Sequence, residues 1–167
     1  MTVSEVIRTK RAVRQFTDTP LSEEAIRSIL NAGRRAQSSK NTQPWHFIAI
    51  RDRATLRQLA ECGAYAGHLA GASFAVALVA PTADSFDLGQ AAAYMQLAAW
   101  DLGIGSCIAS MWEPEKARAI LGIPQDLHFD VAISFGYPLP SREQPSAPLL
   151  NGRKPFDEVV FWERWGG

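Results

Sequence analysis

The chain has 167 residues, 47% hydrophobic and 20% charged, with 17 Lys and Arg matched by 17 Asp and Glu. That length fits one domain, and so high an apolar content excludes a disordered chain. A formal net charge of zero leaves no electrostatic footprint for nucleic acid or an acidic surface.

Cys62 and Cys107 form no CxxC, and no Cys/His cluster has metal-ligand spacing. Two reduced thiols, no metal and a cytoplasmic location are therefore expected. The longest apolar run, LAGASFAVALVA (69–80), is shorter than the roughly 20 residues a membrane helix needs. No secretory leader is expected, because Glu5 and Arg8 interrupt the opening residues.

In chain order, VSEVIRTKRAVRQF (3–16) predicts a first helix running into an exit turn, with Val3, Val6 and Ile7 on one face. TDTP (17–20) punctuates. LSEEAIRSILNAGRRA (21–36) predicts a second helix, with Ser22 as N-cap and Ile26, Ile29, Leu30 and Gly33 on one face. A polar loop leads into the strand HFIAI (46–50). Asp52 caps a helix running to Cys62 with Leu56, Leu59 and Ala60 inward. SFAVALVA (73–80), apolar on both faces, predicts a central strand. DLGQAAAYMQLAAWDLG (87–103) predicts a long helix with Gly103 just past its end. IGSCIAS (104–110) predicts a strand, and EPEKARAILG (113–122) a helix with Pro114 in its first turn and Gly122 at its end. FDVAISFGYP (129–138) predicts another strand. Residues 139–155 are rich in Pro and polar residues, and FDEVVFWERW (156–165) is apolar again.

With no repeat and no linker, this order predicts one α+β domain over 1–167 with a central sheet. A terminus with so much apolar surface after a loop-like stretch predicts a C-terminal arm, about 139–167, packing on a second subunit.

Four stretches carry candidate chemistry. Arg8, Lys10, Arg11 and Arg14 fall within seven residues without an acid. On a helix they would crowd one face, a repulsion that a bound anion relieves. The competing reading is cations complementing a helix C-terminus. Ser38, Ser39, Asn41, Thr42 and Gln43 offer donors and acceptors suited to a neutral heterocycle, or simply form a polar surface loop. Pro44 stiffens the exit and Trp45 anchors it. GIGSCIAS (103–110) allows close approach to a strand backbone but lacks GxGxxG. GRKP (152–155) adds a second basic pair.

Taken together and in this order, these pieces resemble the FMN-dependent nitroreductase family. KRAVRQF is similar to its N-terminal phosphate-binding motif, and QSSKNTQPWHF to its Pro-Ser-Ser-x-Asn-x-Gln-Pro-Trp loop. AAAYMQLAAWDLGIGSCIAS resembles its central helix and following strand. LGIPQDLHFDVAISFGYP and RKPFDEVVFWERW are similar to its C-terminal blocks. The resemblance implies a mixed central sheet flanked by helices and an intertwined homodimer with exchanged arms. It implies FMN as cofactor, NADH or NADPH as electron donor, and a nitroaromatic, quinone or similar acceptor. By position, Lys10, Arg11, Ala12 and Arg14 would meet the FMN phosphate, with Arg153 joining and Lys154 a weaker candidate. Ser38, Ser39 and Asn41 would meet the ribityl chain and ring edge from the other subunit. The backbone of Ile108, Ala109 and Ser110 would lie against the ring. No acid–base side chain is implied as catalytic, because the cofactor carries the chemistry.

Departures are few. Ala12 stands where the family usually has Ser, and Gln37 where it has Pro. Met111 and Trp112 would narrow the pocket, and His68, in a segment where some relatives carry Lys, is expected to be a surface histidine. No long insertion that could form a substrate lid is present. Alternative functions are a flavin storage or sensing protein without turnover, a variant that dehalogenates or degrades flavin, or a structural dimer without cofactor.

Overall fold

Phe74–Ala80 (FAVALVA) has no polar side chain, so only a position covered on both faces suits it, and all seven residues are buried. The computed structural model describes residues 1–82, 85–140 and 153–165. Its elements are α1 (Val3–Thr9), α2 (Glu23–Arg34), β1 (His46–Ile50), α3 (Arg53–Ala60), β2 (Phe74–Ala80), α4 (Ser85–Asp101), β3 (Gly105–Ser110), α5 (Pro114–Leu121) and β4 (His128–Gly136). The fold is α+β. The sheet order is β1-β2-β4-β3, antiparallel at every strand pair. Parallel pairing among the described residues is confined to a bridge between Ala12 and Ser106.

Two apolar layers cover the sheet. On one face Ile26 and Ile29 of α2 and Leu88, Ala91, Met95 and Ala99 of α4 meet Val76, Ile133 and Phe135. On the other, Leu56 and Leu59 of α3 and Ala117 of α5 meet Ala75, Ala77, Ala132 and Ala109. Caps fix the helix starts where the sequence predicts them. Ser22 Oγ accepts from Ala25 N at 3.2 Å, and Asp52 Oδ2 accepts from Thr55 N at 2.8 Å.

The N-terminus corrects one expectation. The helix predicted to run on through the basic residues ends at Thr9, and beyond it Ala12 bridges to Ser106 of β3 and Phe16 to Pro138. Trp100 Nε1 donates to Thr9 Oγ1 at 3.0 Å, tying the end of α1 to α4. Val3 and Ile7 are exposed, so Val6 alone of the predicted apolar face is buried. The described part of the C-terminal arm has one short 3-10 turn, Phe156–Glu158. Phe156, Val159, Trp162 and Trp165 are exposed there. The rest of the predicted arm, residues 141–152 and 166–167, lies outside the described residues.

Candidate functional site

Two glycines make room for the basic segment. A Cβ on Gly105 would sit 2.6 Å from the Cβ of Val13, and one on Gly136 would sit 2.9 Å from Phe16. With hydrogen there instead, the segment lies directly on the sheet edge. Val13 N donates to Ser106 O at 2.9 Å, and Phe16 bridges to Pro138. Lys10 is half-buried, and Arg11 and Arg14 are exposed. Arg11 donates to the carbonyls of Arg8 and Lys10 at 3.0 and 2.9 Å, capping the end of α1. The structure thus gathers Lys10 and Arg14 but not Arg11, while Ala12 supplies the bridge.

Lys10 and Arg14 converge on Cys107 of β3. Burial pushes the Lys10 ammonium below its usual range; the Cys107 thiol opposes this, and the positive charge of Arg153 adds to it. The charge of Arg153 thus reaches Lys10 from the far end of the sequence. Among the described residues no acidic side chain pairs with Lys10, Arg14 or Arg153. Lys10 is half-buried and Arg14 and Arg153 are exposed; neighbouring cations without a counter-charge favour an anion. Burial pushes the Cys107 thiol up, against the pull of Arg14 and Lys10, so it stays protonated at neutral pH. Lys154 is exposed, and Gly152 of the same stretch lies outside the described residues.

His68 is the second correction: it is 8% exposed, not a surface histidine. Its Nδ1 lies 2.7 Å from Ser134 Oγ, and that hydroxyl donates to Cys107 O at 3.2 Å. Nε2 is buried and has no hydrogen-bond partner among the described residues. Burial lowers the His68 pKa, the charge of Arg14 lowers it further, and the nearby Ile108 carbonyl works the other way. The ring is neutral at pH 7. Five of the eight residues of GHLAGASF (67–74) are small, a composition that suits close packing around the ring.

The polar loop lies elsewhere. Lys40, Asn41 and Gln43 have φ of 50°, 56° and 50° without a glycine among them. Ser38 Oγ accepts from Gln43 N at 2.9 Å. Trp45 is buried and stacks on Phe47 at 6.3 Å, anchoring the exit as predicted. Ser38 is half-buried, and Ser39 and Asn41 are exposed. The loop feeds β1 at one sheet edge, while the cations flank β3 at the other. His46 pairs with Val79 and Ser106 with Phe135, which pairs with Phe74. Three strand spacings and five residue rises put His46 and Ser106 roughly 20 Å apart. Within one chain the loop and the cations do not meet.

On the cations' side runs the outer edge of β3. Ala109 is buried, and Ile108 and Ser110 are exposed. The Ala12–Ser106 bridge pairs that edge at one position, the Ile108 carbonyl lies 3.6 Å from Cys107 Sγ, and the Ser110 carbonyl lies against Gly63. Met111 is buried and Trp112 is 71% exposed. Among the described residues no group of three His, Cys, Asp or Glu could hold a metal, and no helix is long and apolar enough to cross a membrane.

The profile of the Nitroreductase family matches residues 7–66 and 66–137. The chain belongs to the nitroreductase family. Nitroreductase relatives include an Archaeoglobus fulgidus protein provisionally named NADH dehydrogenase/NAD(P)H nitroreductase. It is 35% identical over 146 residues, covering 80% of this chain and 84% of its own. A Thermus thermophilus protein named NADH dehydrogenase is 27% identical, with 92% of each chain covered. Among solved structures, an FMN-dependent nitroreductase from Clostridium difficile R20291 superposes with a TM-score of 0.83 at 25% identity. It covers 96% of this chain and 98% of that one.

Proposed function

We propose that this nitroreductase is an FMN-dependent NAD(P)H oxidoreductase working as a homodimer. The observation that carries the reading is the acid-free set Lys10, Arg14 and Arg153 beside β3, the outer strand of the sheet. The cations suit a phosphate. The buried Nε2 of His68 has no hydrogen-bond partner among the described residues, and a ligand could supply one. The backbone of Ile108, Ala109 and Ser110 on this outer strand would lie against the flavin ring. FMN, when bound, supplies two-electron transfer between NADH or NADPH and a nitroaromatic or quinone acceptor. The chain's own groups bind and orient. Lys10, Arg14 and Arg153 neutralise phosphate; Ser38, Ser39 and Asn41 match polar ring and ribityl atoms. No side chain here need act as an acid or base.

The dimer rests on three supports. The loop and the cations lie too far apart in one chain to share a ligand, so a second copy must bring its loop. Val3, Ile7, Tyr94 and Leu97 line an apolar cavity of about 520 Å³ between α1 and α4, a face suited to burial against another copy. The exposed Phe156, Val159, Trp162 and Trp165 suit an arm that crosses to the partner. The two unpaired thiols, Cys62 and Cys107, fit a cytoplasmic protein.

The test is a visible spectrum of the purified protein, followed by NADH and NADPH added separately without oxygen. Flavin bands that bleach within seconds support the reading and identify the donor. Persistent bands assign storage or sensing instead. An absence of bands after FMN is supplied removes the cofactor reading.

A further inference from the structure

The polar loop is held in a costly shape. Lys40, Asn41 and Gln43 all occupy the left-handed region, which side-chain-bearing residues adopt only when surroundings impose it. Most of its bonds are internal: Asn41 N to Ser38 O, Thr42 N and Thr42 Oγ1 to Ser39 O, Gln43 N to Ser38 Oγ. Such bonds fix a shape but not a place. Among the described residues, one hydrogen bond ties residues 38–43 to another element: Ser39 N donates to Asp87 Oδ2 at 3.1 Å.

Asp87 is well placed to hold it. It stands in the first turn of α4 and is 4% exposed. The next residues of that helix, Leu88, Ala91, Ala92 and Met95, are in the core. Its other oxygen accepts from Gln90 Nε2 at 3.3 Å, so the carboxylate is pinned from its own helix. Burying a carboxylate is expensive unless it is hydrogen-bonded, and here one oxygen is spent on an exposed loop. Neither β1 nor α4 needs that bond. Meanwhile the side chains of Ser39 and Asn41 are exposed and make no hydrogen bond among the described residues.

We propose that Asp87 is a positioning residue for the cofactor loop. Its Oδ2 fixes the Ser39 amide, and through it the strained backbone that presents Ser39 and Asn41 to a flavin. This rests on the FMN reading above. A loop held in place before binding loses little freedom on binding, so affinity depends on the clamp. The clamp acts on ring and ribityl contacts, not on the phosphate held by Lys10 and Arg14. Losing it should weaken FMN and riboflavin, which lacks the phosphate, by the same factor.

The experiment titrates the full-length protein with FMN and with riboflavin, reading flavin fluorescence, alongside thermal unfolding without flavin. The wild type is titrated first: if it binds neither flavin, the FMN reading fails and this proposal with it. If it binds, Asp87→Ala should raise both dissociation constants equally, by about ten- to a hundredfold, the range for a charge-assisted hydrogen bond. Asp87→Asn keeps an acceptor for Ser39 N and should stay within about threefold of wild type. Unchanged affinities in Asp87→Ala overturn the proposal while leaving the FMN reading intact. So does a loss that Asp87→Asn fails to rescue and that tracks the unfolding temperature, since that marks a purely structural role. If Asp87→Ala does not fold, Ser39→Pro removes the amide donor without touching the core. The extended Ser38 backbone (φ −144°, ψ 158°) suits the residue before a proline. Ser39→Pro should weaken both flavins about tenfold more than Ser39→Ala, and equality of the two overturns the clamp.

Discussion

Replacing Gly105 by alanine tests how the basic segment is seated. The new Cβ would lie 2.6 Å from Val13 Cβ and 2.7 and 2.8 Å from its two methyls. Rotating the valine cannot help, because its Cβ is itself in the way. The segment must move out by about 1 Å to restore ordinary carbon contact near 3.5–4.0 Å. Overpacking of this kind costs about 1–3 kcal/mol, and losing the Val13–Ser106 hydrogen bond adds about 1 kcal/mol. We therefore expect urea unfolding to show a loss of about 2–4 kcal/mol. Because Lys10 and Arg14 ride on this segment, FMN should bind less tightly while riboflavin changes little. Adding Val13→Gly removes the clashing atoms and should recover part of the FMN affinity. A Gly105→Ala protein with wild-type stability and wild-type FMN affinity would refute the seating argument.

Arg14→Ala removes one charge-assisted contact, worth about 1.5–3 kcal/mol to a phosphate; titration should show FMN weakened and riboflavin untouched. Trp45→Ala empties a buried site beside Phe47 and should cost about 3–5 kcal/mol in a denaturant titration followed by circular dichroism. His68 titrates below its unfolded value because it is buried beside Arg14. The unfolded chain therefore binds the extra proton first, and stability must fall as pH drops below about 6.5, the unfolded value. His68→Gln should flatten the urea-midpoint profile between pH 8 and pH 5; an unchanged slope would refute it. Ending the chain after Pro138 should shift the protein from dimer to monomer in analytical ultracentrifugation.

Much of the fold was legible because its signals are local. HFIAI is β1 residue for residue, and the Ser22 and Asp52 caps start their helices as predicted. Gly122, in the left-handed region, ends α5. What escaped depends on distant partners. Val13 sits against Gly105, ninety-two positions away, so no local period could show that the helix stops at Thr9. The crowding of Lys10, Arg11 and Arg14 did argue against a helix there, since like charges three and four apart repel. His68 was misplaced because its burial comes from Ser134 and Cys107 on strands far along the chain. The strained loop carried no glycine to announce it, and nothing around Asp87 marks it in the sequence.

In the proposed homodimer, the distance between the loop and the cations would have a genetic consequence. A chain with Arg14→Ala has a sound loop, and a chain with Asn41→Ala has sound cations. Each homodimer is broken at both sites. A mixed dimer pairs the two good halves at one site and the two bad halves at the other. Two inactive variants expressed together should therefore yield active protein, with about a quarter of all sites intact if the chains assort at random. Two alleles damaged in the same half should yield none.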